Sequence, residues 1–226
     1  MSSSEIILEG QNLTKEFPRG RREVIKALDN VNVSISRGEF LMLYGPSGSG
    51  KTTLLNVLSG LDRPTSGKVI FEEKDIVDWS EQQLSVFRLQ NIGRIFQSWE
   101  LISTLTAIEN IEVPLYPSQL PSNKIHDRAI RLVKMVGLAD RMDHFPAELS
   151  GGEQQRVGIA RALITNPVVI FADEPTGNLD SDSGKSVMRL LKRICNTGTA
   201  VVLSTHNEEL REYANRIVKL RAGRLH

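Results

Sequence analysis

The chain has 226 residues, 40% hydrophobic and 24% charged, enough to bury a substantial core as one large domain. Its 28 basic and 27 acidic residues nearly cancel, which excludes an extended basic face for nucleic acid; a single cysteine, Cys195, excludes an internal disulfide and a cysteine metal cluster and fits a reducing cytoplasm. No apolar run approaches the ~18 residues that span a bilayer, and Met1-Ser2-Ser3-Ser4-Glu5 lacks the charged and then apolar start of a secretory leader, so any membrane role is expected to come through a partner.

In chain order, residues 6–8, 24–28, 31–35, 40–44 and 68–71 read as short strands, the last following the turn Pro64-Thr65-Ser66-Gly67. Arg19, Gly20, Arg21 and Arg22 form one basic cluster, read as a solvated hairpin tip. After the apolar run 40–44 comes Gly45-Pro46-Ser47-Gly48-Ser49-Gly50-Lys51-Thr52, which matches G-x-x-x-x-G-K-[ST], and Thr53 opens the apolar-rich stretch behind it. Strand, loop and helix thus fall in the order a phosphate loop needs. Its glycines let backbone N–H groups turn inward on phosphate oxygens, and the helix starting near Lys51 adds unpaired amides and its dipole. Lys51 is expected at the β- and γ-phosphates of a nucleoside triphosphate and Thr52 at a magnesium ion. Leu54, Leu58 and Leu61 are spaced to anchor this helix in the core.

Residues 92–96 form another strand-like run, ending at Gln97, whose amide oxygen can ligate magnesium. Residues 98–166 then change character. Ala129, Leu132, Val133 and Val136 recur at helical spacing until Gly137, as do Val157, Ala160 and Ile164 until Asn166-Pro167. The second of these helices opens with Leu149-Ser150-Gly151-Gly152-Glu153-Gln154-Gln155-Arg156. Ser150 and Glu153 have the spacing of a capping box. A cap does not require two glycines, and bare amides at a helix start suit an approaching phosphate, so both readings apply.

Residues 168–172 and 200–203 are continuous apolar runs, as expected for parallel strands buried on both faces, with Val187, Leu190, Leu191 and Ile194 giving one helical face between them. Asp173 and Glu174 end the first run at the edge where open parallel sheets bind ligands. Asp173 can hold magnesium and Glu174 can orient an attacking water. Ser204-Thr205-His206 ends the second run in the same crevice, with His206 able to reach a γ-phosphate and to help position Glu174. The domain boundaries expected are a core from 1–97 and 167–226 and a helical insertion at 98–166.

The order of these motifs, continued by Asn178-Leu179-Asp180, resembles an ABC-transporter ATPase over essentially the whole chain. The resemblance implies an α/β fold, a P-loop NTPase with a RecA-like core, an antiparallel β-subdomain and an inserted helical subdomain. It also implies ATP and Mg2+ as ligands. Two ATP molecules would be sandwiched between head-to-tail copies, with Ser150, Gly151, Gly152, Gln154 and Asp180 serving the nucleotide held by the other copy. By the same resemblance Phe17 stands where an aromatic stacks on adenine; from the residues alone, packing in the core or hairpin is equally open. The run Pro175-Thr176-Gly177-Asn178-Leu179-Asp180 resembles the lipoprotein-release (LolD-like), macrolide-efflux (MacB-like) and FtsE-like branch, which implies a cytoplasmic, peripheral subunit on an integral membrane partner. Ser98-Trp99 would line the groove for that partner, while Trp99, Leu101, Ile102 and Leu105 can equally be subdomain core. An importer's ATPase or a slow nucleotide-gated clamp are the other functions this pattern allows. A small-molecule kinase would share the phosphate loop but has no use for Ser150-Gly151-Gly152, and a DNA-repair machine would need a coiled-coil insertion or basic face that the sequence lacks.

Overall fold

The structure is a computed structural model that describes residues 5–20 and 23–226. Arg21 and Arg22 of the basic cluster, and Met1 to Ser4 at the start of the chain, lie outside the described residues. Two long strands, β1 (Ile6–Arg19) and β2 (Glu23–Ser36), pair antiparallel from end to end. After β3 (Phe40–Tyr44), α1 (Lys51–Leu58), β4 (Ser66–Phe71) and β5 (Lys74–Asp75), a four-stranded antiparallel sheet is complete in the order β2-β1-β4-β5. Helix α2 (Glu81–Asn91) leads into β6 (Ile92–Ile95).

Between β6 and the next strand the chain contains only helices and loops: α3 (Ala107–Glu112), α4 (Ser122–Met135), α5 (Gly151–Leu163) and short 3-10 turns. It then returns as β7 (Val169–Asp173), α6 (Ser181–Asn196), β8 (Ala200–Thr205), β9 (Arg216–Arg221) and β10 (Arg224–Leu225). The second sheet runs β10-β9-β3-β8-β7-β6, parallel from β9 through β6, with β10 turned back antiparallel.

The central strands show why their apolar runs are unbroken. On β3, Phe40 and Met42 enter one core with α3 to α6, while Leu41 and Leu43 enter a second core with α1 and the antiparallel sheet. Ile170 and Ala172 against Val169 and Phe171 on β7 divide the same way, as do Val201 and Leu203 against Ala200 and Val202 on β8. A two-residue period with both faces buried leaves no place for a polar residue until the strand ends. The polar residues therefore collect at the carboxyl ends of β3, β7 and β8.

Leu61 departs from expectation. Leu54 and Leu58 are buried, but α1 ends at Leu58, Gly60 turns left-handed, and Leu61 is 55% exposed. Leu55 and Val57 are the further apolar residues that α1 buries. No helix among the described residues is long and apolar enough to cross a membrane.

Candidate nucleotide site

The loop from Gly45 to Gly50 joins the end of β3 to α1, and its geometry requires glycine at its last position. Gly50 caps α1 at φ 104°, and a Cβ there would stand 2.3 Å from the Ala27 carbonyl oxygen. No side chain caps α1 and no acidic residue occupies its first turn, so the helix start presents amides and dipole without a competing acceptor. Lys51, the first helical residue, is only 7% exposed and donates from Nζ to the carbonyl oxygens of Gly45 at 2.8 Å and Pro46 at 3.1 Å. The same ammonium lies 3.6 Å from the Glu174 carboxylate.

Ser47, Gly48, Gly50, Lys51, Thr52, Thr53, Gln97, Glu174 and His206 line one hollow of about 370 Å³, with Ala27 at its rim. A larger groove of about 490 Å³ beside Trp79 and Phe87 is apolar in character and lies away from these groups. Strand register assembles the acidic edge: β7 and β8 run parallel with Asp173 opposite Ser204. The Ser204 hydroxyl donates to Asp173 Oδ1, and the Glu174 amide reaches the Ser204 carbonyl at 3.1 Å. Glu174 itself takes a left-handed backbone, φ 47°, which is unusual outside glycine. It turns its carboxylate to His206 Nδ1, at 2.9 to 3.0 Å. Arg94 lies close enough to Asp173 for the charges to interact, although burial is the larger influence and pulls the guanidinium below its usual pKa.

The oxygen donors suit a hard divalent cation. Thr52 offers a hydroxyl on an exposed side chain, Asp173 a carboxylate, and Gln97 an amide oxygen left free because its Nε2 faces Asn178 Oδ1 at 3.3 Å. Magnesium asks for only one or two carboxylates when phosphates supply the rest, so this set fits.

The remaining expected residues cluster elsewhere, around the start of α5. Ser150 caps it, accepting from the Glu153 amide at 3.3 Å, while the Glu153 carboxylate accepts from the Ser150 amide and hydroxyl, both at 2.8 Å. The amides of Gly151 and Gly152 find no acceptor among the described residues. Both glycines have a packing reason as well: added Cβ atoms would meet Trp99 Cζ2 at 3.1 Å and Ser183 Oγ at 3.0 Å. Gln154 folds back to donate to the Leu149 carbonyl at 3.0 Å. Asp180 caps α6, accepting from the amides of Asp182 and Ser183, and its pKa is lowered first by the Ser183 hydroxyl and next by the Ser183 amide.

One short segment connects the two clusters. Asn178 bonds Gln97 on one side, its Nδ2 donating to the Gln97 carbonyl at 3.2 Å, and Leu179 stands beside Gly151 on the other. Phe17 is not brought to the hollow's lining. At 40% exposure it is not a core residue, and Lys15 Nζ stands 5.1 Å from its ring centroid. Sequence reasoning gave no role to Ser204 or Asn178. A hydroxyl one strand over from an acidic strand end is a signal only once the strand order is known.

Residues 28–177 match the protein family described as ABC transporter. An ABC transporter ATP-binding protein of Methanocaldococcus jannaschii is 48% identical, covering 97% of both chains. The lipoprotein-releasing system ATP-binding protein LolD of Syntrophotalea carbinolica is 43% identical over all of this chain and 99% of its own. A solved dimeric ATP-binding cassette in a post-hydrolysis state with ADP and Pi superposes with a TM-score of 0.89 at 42% identity, covering 97% of this chain and 96% of that one.

Proposed function

The chain belongs to the ABC transporter family as an ATPase domain, and on that premise we propose that two copies close head-to-tail on ATP to drive a membrane complex of the lipoprotein-release kind. The observation that carries the reading is the division of polar groups into two clusters on one chain. The hollow at Lys51 has the lysine, the acidic edge and the open helix start, whereas the start of α5 has free glycine amides but no lysine. The second cluster completes a site only when it meets the first cluster of another copy.

In each site Lys51 and the loop amides bind the β- and γ-phosphates and offset negative charge that builds during transfer. A water oxygen bonds to the γ-phosphorus while the bond to the β–γ bridging oxygen breaks, leaving ADP and phosphate. Glu174, fixed by His206 and by the Ser204 pairing of its backbone, accepts a hydrogen bond from that water and aims it. Thr52, Gln97 and Asp173 would hold a magnesium ion, which when bound supplies positive charge to the phosphates. Ser150, Gly151, Gly152 and Gln154 serve the other copy's nucleotide, and Asp180 lies at the junction between copies. Phe17, exposed at the hairpin, is available to an adenine ring.

The division of labour extends to the chain's parts: 1–97 with 167–226 as the nucleotide-binding core and 98–166 as the helical part that faces a membrane subunit. The protein works at the cytoplasmic face, peripheral to the membrane. The likeness to LolD and the run Pro175 to Asp180 favour a cargo moved on the far side of the bilayer, lipoprotein or macrolide-like.

Glu174→Gln tests the mechanism. Turnover falls by about 10²–10⁴ while ATP still binds, the scale of a lost general base, and the variant accumulates as an ATP-bound dimer in sedimentation. Undiminished steady-state hydrolysis sinks the assignment of Glu174. Copurification with a four-span membrane protein bearing a large extracytoplasmic domain tests the branch; copurification with a many-span permease and a binding protein overturns it in favour of import.

A further inference from the structure

Helix α5 grips the segment on either side of Gln97, from Phe96 to Glu100, at four points. Gln155, fully buried, donates from Nε2 to the Phe96 carbonyl at 3.3 Å. Arg161 donates to the Trp99 carbonyl at 2.7 Å and to that of Glu100, and burial holds its guanidinium below its usual pKa. The indole of Trp99 lies on the first residue of the helix, so near that a Cβ on Gly151 would stand 3.1 Å from Cζ2 and 3.5 Å from Cη2. Trp99 and Glu100 both take left-handed backbones, φ 60° and 49°, which are uncommon outside glycine. This turn carries the indole onto the start of α5. Trp99 Nε1 is buried and finds no acceptor among the described residues, so the ring rather than a hydrogen bond makes the contact.

We infer that Trp99 is a positioning residue: its ring sets where the first turn of α5 stands, and so where Ser150 and Gly152 meet the nucleotide of a second copy. This rests on the sandwich reading above. Trp99 touches Gly151, whose neighbours carry the cap and the free amide. Without the ring, the helix start loses the surface it leans on, and its two free amides are no longer held in one place. Nucleotide binding at Lys51 uses a different helix start and is left alone.

The test compares Glu174→Gln with Glu174→Gln carrying Trp99→Ala or Trp99→Phe. Two quantities are read for each: the affinity of dilute, monomeric protein for ATP, and the dimer dissociation constant in saturating ATP by analytical ultracentrifugation. Trp99→Ala raises the dimer constant about tenfold or more, with monomer ATP affinity within about twofold. Trp99→Phe, which keeps one aromatic ring but lacks the fused ring bearing Cζ2 and Cη2 that faces Gly151, also raises the dimer constant, by about threefold or more. Arg161→Gln releases the same two carbonyls while leaving the indole in place, and raises the constant about threefold to fivefold, so the test stands even if Trp99→Ala fails to fold.

The inference is overturned if Trp99→Ala dimerises like its parent, if monomer ATP affinity falls by the same factor as dimerisation, or if Trp99→Phe, without Cζ2 and Cη2, dimerises like the parent. A Glu174→Gln parent that stays monomeric in ATP overturns the sandwich reading together with this inference. A parent that dimerises beside an indifferent Trp99→Ala overturns the inference alone.

Discussion

Helices α1 and α5 both begin at glycine-rich turns, and their first turns are built in opposite ways. At α1 the cap is Gly50, no side chain accepts from the first amides, no carboxylate is near in sequence, and Lys51 stands at the first position. At α5 the cap is Ser150, one amide is already taken, and Glu153 adds a negative charge within the first turn. Arg141, 3.7 Å from Glu153, offsets part of that charge. A polyphosphate can be held by the first arrangement alone, because dipole, open amides and ammonium all favour it. The second can only add to an anion whose charge is already balanced elsewhere. On the proposed sandwich, that asymmetry is the physical reason a single copy of this chain would carry one nucleotide site and the complement of another.

The sharpest way to break the comparison is to make the two starts alike by removing the lysine. Lys51→Met removes the two bonds from Nζ to the Gly45 and Pro46 carbonyls together with the only ammonium lining the hollow among the described residues. Turnover falls by at least about two orders of magnitude, in line with removal of one preorganised electrostatic donor, and ATP binding measured by equilibrium dialysis weakens with it. Retention of wild-type turnover would mean that the amides suffice and that the two helix starts differ less than their geometry implies.

Ser150→Ala probes the other start. Losing the cap costs about 1 kcal/mol of folding stability, a drop in Tm of about 2–4 °C for a domain of this size. Calorimetry reads that drop, and sedimentation of the variant in the Glu174→Gln background reads the accompanying loss of dimer. The affinity of the monomer for ATP stays as it was, since α1 is untouched. If monomer affinity fell as well, the two starts would not be independent.

The strands that carry the site were legible because their surroundings are simple. With both faces of β3, β7 and β8 buried, their residues had to be apolar without interruption and their ends had to hold the polar groups. The ends of the molecule were harder. β9 buries only Leu220 and carries Arg216, Lys219 and Arg221, and α2 buries only Leu84 and Phe87, so neither shows an unbroken apolar signal. The length of β1 and β2 was hidden for a related reason. Asn12 and Asn30 take left-handed bulge conformations and break the alternation, so only fragments of each strand read as strands. In the site, Lys51 and Glu174 announce themselves by residue type. Ser204 acts through its register opposite Asp173, and Trp99 through a left-handed turn that no local residue choice signals.

The smallest effect expected is also the one that isolates the charge at α5. The Glu153 carboxyl is held below its usual range, first by the Ser150 amide and next by the Ser150 hydroxyl, with Arg141 and Arg156 helping and burial opposing. A carboxylate whose folded pKa is lowered stabilises the folded state fully above its unfolded pKa, near 4.3, and that contribution is lost as pH falls through the folded value. Glu153→Gln keeps an oxygen able to accept from the Ser150 amide and removes only the charge. At pH 7 it is therefore less stable than the parent by about 0.3–1 kcal/mol, the usual worth of a carboxylate in a helix's first turn. The gap closes as the pH falls through the lowered folded pKa, where the parent's own carboxyl becomes protonated. Urea unfolding at a series of pH values measures both ends. A gap that persisted in acid would assign the loss to the shape of the cap, and no gap at pH 7 would mean that Arg141 and Arg156 leave the helix start indifferent to charge. Either result would weaken the contrast with α1, where the first turn has no carboxylate to titrate.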